Sequence, residues 1–149
     1  MDYEKYMALA IEQAKIAYDN NEVPIGCVIV YDDKVIGRGA NRRVTDGNVL
    51  AHAEIIAINE ACNYINDWRL EECTLFVTVE PCPMCSGAIL QARVPIVVYG
   101  TRNPKAGCVG SIYNLLQEPK FNHRAEVIEG VMAEECSNIM KDFFKRFRK

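Results

Sequence analysis

The chain has 149 residues, 50% hydrophobic and 25% charged, with a formal net charge of −3. One domain spanning 1–149 is expected from that length, and the apolar content excludes wholesale disorder. The longest apolar stretch, Val23 to Tyr31, is far short of the ~18 residues a membrane span needs, so no membrane association is expected.

Met7, Ala10, Ile11, Ala14 and Ala17 recur at helical spacing, so residues 2–19 read as an amphipathic helix that Asn20-Asn21 breaks. Cys27 to Tyr31 reads as a buried strand, Asp32-Asp33 as a turn, and Lys34 to Ala40 as the returning strand. A polar loop, Asn41 to Asn48, precedes a helix over 51–65. Cys73 to Val79 is a third strand, dense in β-branched and aromatic side chains. Pro81 stops it. Residues 82–92 follow as a helix, with Pro83 in the first turn, where a missing N–H does little harm. Ile96 to Tyr99 is a fourth strand and Arg102 to Gly110 a loop. A short helix over Ser111 to Leu116, a fifth strand over Ala125 to Ile128 and a last helix over Ala133 to Phe147 complete the order. This alternation predicts an α/β domain with helices over both faces of a five-stranded sheet, and the opening hairpin makes that sheet mixed.

Charge is uneven. Residues 1–80 carry 7 basic and 14 acidic side chains, residues 81–149 carry 10 and 6, and five cations crowd the last nine positions. Global charge gives no reason for nonspecific nucleic-acid binding; a local cationic face remains open beside the plainer reading of a solubilising helix end. The N-terminus has no basic stretch followed by an apolar core, so no secretory signal is read and the cytoplasm is the expected location.

The seven cysteines are odd in number and suit a cytosolic chain poorly as a disulfide framework. Two of them carry a sharper reading. His52-Ala53-Glu54 and Glu80-Pro81-Cys82-Pro83-Met84-Cys85 together supply one imidazole and two thiols, three ligands for zinc. Three protein ligands leave a fourth tetrahedral position for water, as in catalytic rather than structural sites. Both segments fall at expected helix N-termini, where amide N–H groups favour thiolates. Cys82 and Cys85, three apart, share a helix face. Glu54 need not follow His52 toward the metal and is placed beside the water as a proton carrier. A structural zinc site would need a fourth ligand, and Cys62, Cys73, Cys108 and His123 lack the short paired spacing for it.

The joint pattern H-x-E…P-C-x-x-C resembles the signature of the zinc nucleobase deaminases. The resemblance runs from about Met7 to Phe147. Glu22-Val23-Pro24-Ile25-Gly26, Asn41-Arg42, Thr74 to Thr78, Lys105-Ala106-Gly107, Phe121-Asn122-His123-Arg124, Ala133 to Cys136 and Asp142-Phe143-Phe144 are similar to the tRNA-acting branch of that family. Two positions depart from it. Pro83 makes Pro-Cys-Pro-Met-Cys resemble guanine deaminases, and Asn103 stands where the tRNA branch commonly has Asp.

The resemblance implies a three-layer α/β/α cytidine-deaminase-like fold and one Zn2+ per subunit. It also implies a homodimer and, as substrate, an adenosine at the wobble position of a tRNA anticodon stem-loop, with arginine tRNA bearing ACG first among candidates. It makes Glu54 the catalytic residue and His52, Cys82 and Cys85 the metal ligands. The amides of Ala53 and Cys82 help hold the reacting groups. Asn41 reads the base edge, Asn122 meets the flipped nucleotide, and Arg124 and the cationic tail Lys145 to Lys149 hold phosphates ahead of Arg42, Arg102, Lys105 and His123. Asn41 as a turn residue and the cations as plain surface are the alternatives. Deamination of guanine or another free base or nucleotide is the enzymatic alternative. A non-catalytic zinc-stabilised RNA-binding module is the alternative of another kind, and it has no use for Glu54.

Overall fold

The computed structural model describes residues 1–147. Its elements are α1 (Tyr3–Asp19), β1 (Gly26–Tyr31), β2 (Lys34–Ala40), α2 (Ala53–Ile65), β3 (Thr74–Val79), α3 (Pro83–Gln91), β4 (Ile96–Thr101), a 3-10 turn (Leu115–Gln117), β5 (Glu126–Glu129) and α4 (Ala133–Phe147). The strands lie in the order β2-β1-β3-β4-β5. β1 pairs antiparallel with both β2 and β3, and β3–β4 and β4–β5 are parallel. The expected mixed five-stranded sheet is therefore present.

Local chemistry explains the ends of the elements. The Asp2 carboxylate caps α1 by accepting the Lys5 N–H at 3.1 Å. Asp32 and Asp33 turn the β1–β2 hairpin with φ of 51° and 59°, the paired left-handed conformation that fits the twist of the strands. β3 is buried along its whole length because helices cover both faces. Its period of two divides the core: Leu75 and Val77 pack with Ala53, Ala57, Ala61 and Ile89 of α2 and α3, whereas Phe76 packs with Tyr6, Met7 and Ala10 of α1 and Cys136 of α4.

One element differs from expectation. Residues 111–116 do not form a helix. Gly110 N–H donates to the Tyr113 carbonyl at 2.9 Å, Val109 and Asn114 form an isolated bridge, and helical bonding is confined to Leu115–Gln117. The Leu115 N–H, which a helix would direct to the Ser111 carbonyl, donates instead to the Cys108 carbonyl at 2.8 Å, so the i→i−4 pattern is not made.

Gly39 sets where α2 can sit. A Cβ there would lie 2.0 Å from the Ala53 carbonyl oxygen, so the first turn of α2 rests directly on the β2 backbone. Among the described residues, no helix is long and apolar enough to cross a membrane.

Candidate active site

Two helices begin at the same place. His52 is the N-cap of α2 and Cys82 the N-cap of α3, each with extended backbone and neither closing its helix with a side-chain hydrogen bond. Pro83 occupies the first turn of α3, as expected. Cys85 lies one turn in and is fully buried. His52 Nδ1 is 3.7 Å from Cys82 Sγ and 3.5 Å from Cys85 Sγ, and the three donor atoms lie within 4.8 Å of one another.

The donor set fits a metal. Neighbouring ligands of a tetrahedral zinc, at ordinary Zn–N and Zn–S lengths, stand about 3.6 Å apart. The three groups shift one another's proton affinity. The Cys85 thiol, donating to Cys82, and His52 together hold Cys82 down to about 4, against the opposing effect of burial. Cys85 is pushed up by that donation and by its burial, and His52 is raised chiefly by its contact with Cys82. These contacts favour the thiolate at Cys82, the form in which a cysteine holds a metal.

Glu54, the second residue of α2, is 4% exposed. Burial pushes its carboxyl up to about 7, although its own backbone amide pulls the other way. A carboxyl with that affinity can both accept and release a proton near neutrality. It lines a cavity of about 190 Å³ with Val23, Ile25, Asn41, Arg43, His52, Ala53, Glu80, Cys82, Asn103 and Ala106. Ala53 is the first residue of α2, so its amide has no intrahelical acceptor.

Asn41 serves the loop and the cavity at once. Its Nδ2 donates to the Val23 carbonyl at 3.2 Å and its Oδ1 accepts the Arg43 N–H at 3.1 Å, a turn-forming contact. One N–H and one lone pair of the amide are left over. Arg43, which sequence reasoning passed over, lines the cavity, whereas Arg42 turns outward to an ion pair with Asp46 at 2.9 Å.

A second, larger hollow of about 840 Å³ shares Val23, Ile25 and Asn103 with the first. Arg102, Lys105, Lys141 and Lys145 stand around it, with Val79, Met140 and Phe144 as apolar floor. Lys105, Arg102 and the start of the tail are thus brought to one groove. Arg102 is also paired with Glu129 at 3.0 Å. The other cationic candidates are engaged elsewhere. Arg124 donates to the carbonyls of Pro119 and Phe121 at 2.8 and 3.3 Å, folding back on its own loop. His123 Nε2 is 2.9 Å from the Val94 carbonyl oxygen. Arg146 lies over the rings of Tyr18 and Phe147. Asn122 is exposed and lines neither hollow. Arg148 and Lys149 lie outside the described residues.

Comparison with known proteins agrees with this geometry. The family model for MafB19-like deaminase matches residues 1–148. The tRNA-specific adenosine deaminase of Bacillus subtilis (strain 168) is 51% identical over 146 residues, covering 98% of this chain and 91% of that protein. A solved structure from work on A-to-I editing by tRNA:A34 deaminases at the wobble position of transfer RNA superposes with a TM-score of 0.87 at 40% identity, covering 91% of this chain and 98% of the other. The guanine deaminase of Nitrosomonas europaea shares the fold alone, with a TM-score of 0.81 at 20% identity over 94% of this chain and 83% of that one. The chain belongs to the MafB19-like deaminase family, in the branch of the tRNA-specific adenosine deaminases.

Proposed function

We propose that this protein is a zinc-dependent tRNA adenosine deaminase, a cytoplasmic homodimer that converts adenosine to inosine at the wobble position of an anticodon, with arginine tRNA bearing ACG as its first candidate substrate. The observation that carries the reading is the juncture of two hollows. A small pocket holding Glu54 beside three side chains that could hold a metal shares Val23, Ile25 and Asn103 with a groove bearing Arg102, Lys105, Lys141 and Lys145. A free base needs only the pocket; four cations beside it suit a polyanionic chain. A non-catalytic zinc module gives no reason for a buried carboxyl aimed into the pocket.

His52, Cys82 and Cys85 would hold the zinc, which when bound supplies the Lewis acidity that makes water a nucleophile near neutral pH. Asn41 and the walls of the pocket orient the flipped adenine with C6 toward Glu54. Glu54 takes one proton from the attacking water and passes it to N1 as C6–O forms, then moves the remaining hydroxyl proton to the amine, so that C6–N breaks and ammonia leaves. The free amides at the starts of α2 and α3, Ala53 and Cys82, stabilise charge that develops during attack. Val44, Val49 and Leu50, all more than half exposed beside the site, support a second subunit at this edge.

The test is inosine formation at the wobble adenosine of purified tRNA bearing ACG. Stoichiometric conversion that is absent from Glu54→Ala is expected. No conversion by folded, zinc-loaded protein would remove the tRNA assignment, and free guanine would be tried next.

A further inference from the structure

Glu80 takes no part in the chemistry above, yet it is a carboxylate only 2% exposed, one residue beyond the end of β3. Four donors converge on it. Asn103 N–H, at 3.0 Å, and the Ser111 hydroxyl donate to Oε1, while the N–H groups of Val109 and Ser111, at 2.9 Å each, donate to Oε2. All four come from the loop that follows β4. Gly107 of the same loop lies against the carboxyl group, where a Cβ would come within 2.3 Å of its carbon. The Asn103 side chain then accepts the amides of Lys105 and Ala106 at 3.3 and 3.2 Å, carrying the order forward. This loop supplies Asn103 and Ala106 to the pocket and Arg102 and Lys105 to the groove.

We propose that Glu80 is a positioning residue: its buried carboxylate clasps the 103–111 loop into a preformed wall shared by pocket and groove, and thereby sets the affinity for substrate. The inference rests on the reading of the pocket as the seat of the nucleobase. Only a carboxylate offers acceptor sites for four converging donors; glutamine would turn an NH2 toward two N–H or O–H groups whichever way its amide is flipped. Burying a charge is costly, and an apolar side chain would fill the space more cheaply, so the charge serves to order the loop. A wall ordered before binding spares the substrate that entropic cost, which lowers KM without touching the reacting atoms.

The experiment compares zinc-loaded wild type, Glu80→Gln, Glu80→Asp and Ser111→Ala in steady-state deamination of tRNA, with metal content and amide hydrogen exchange on the same samples. In Glu80→Gln, KM is expected to rise about tenfold or more with kcat within about threefold, the loss of one charged hydrogen-bond set being of that order. Exchange protection should fall over 103–111 and persist in β3 and α3, with metal content unchanged. Ser111→Ala should move KM the same way by less, and Glu80→Asp should recover part of the loss. A fall in kcat at constant KM, or lost loop protection with KM unchanged, would overturn the proposal. Should Glu80→Gln not fold, Ser111→Ala decides: KM unchanged despite lost protection overturns it. Wild type inactive on tRNA would instead sink the functional reading, while selective loss of loop protection in Glu80→Gln would still support the clasp.

Discussion

His52 Nδ1 and Cys82 Sγ lie 3.7 Å apart, and each residue is the N-cap of a different helix. N-cap side chains ordinarily bond to their own helix, worth about 1 kcal/mol. Neither does so here. Both are turned instead toward each other and toward Cys85, 3.5 Å from the same imidazole nitrogen. The positive ends of α2 and α3 are thereby aimed at one point, which favours thiolates and any anionic group drawn there.

Removing Cys85 should therefore disarm the site by emptying it of metal. Cys85→Ala leaves two ligands on two helices, and zinc affinity should fall by more than about 100-fold. Metal analysis after gel filtration is the check. Full occupancy in the variant would strike Cys85 from the ligand set.

Glu54→Gln tests the proposed proton carrier, because it keeps shape and pocket lining while losing the titrating group. A loss of about 10²–10⁴-fold in kcat is expected, with zinc content and melting temperature close to wild type. The paired measurement separates chemistry from folding. Near wild-type turnover would mean that another group moves the proton.

How much of this was legible in the chain follows from what each feature depends on. The cluster of His52, Cys82 and Cys85 is readable because its positions are set locally, at two helix starts with a three-residue bite. Arg42 and Arg43 were not separable. Neighbours in one loop, they point to Asp46 and to the pocket respectively, and the loop's path depends on Glu22, which accepts from Val44 and Thr45 some twenty residues away. The helix expected over 111–116 fails for a related reason: the Leu115 amide goes to the Cys108 carbonyl, in a loop whose path is held by Glu80 about thirty residues earlier. No local pattern marks Glu22 or Glu80 as buried, and only tertiary contact shows both to be so.

Glu22 makes stability depend on pH in a defined direction. It is 2% exposed, and that burial works to raise its carboxyl. The Thr45 hydroxyl and the amides of Thr45 and Val44 outweigh burial and hold it below the ordinary 4.5. A lowered folded-state value means the stabilisation is present in full above 4.5 and is lost as pH falls through the folded value. Glu22→Gln should cost about 1–3 kcal/mol at pH 7. Urea midpoints from pH 7 down to pH 3 should show the gap to wild type shrinking below pH 4.5, the side on which the wild-type group protonates. A gap constant across that range would mean that the carboxylate's charge contributes nothing.

The seating of α2 on β2 links the fold to the site more directly than any surface contact. A methyl group at Gly39 would lie 2.0 Å from the Ala53 carbonyl oxygen, backbone against backbone, so α2 must move to admit it. Ala53 is flanked by His52 and Glu54, so a shift of the first turn displaces the proposed metal ligand and the proposed proton carrier together. Gly39→Ala should destabilise by about 1–3 kcal/mol and weaken zinc retention as well. Gly87→Ala is the control, because a Cβ there meets nothing within 4 Å and Ala is the better helix former. Equal zinc retention in the two variants would show that the first turn of α2 is held by something other than its rest on β2.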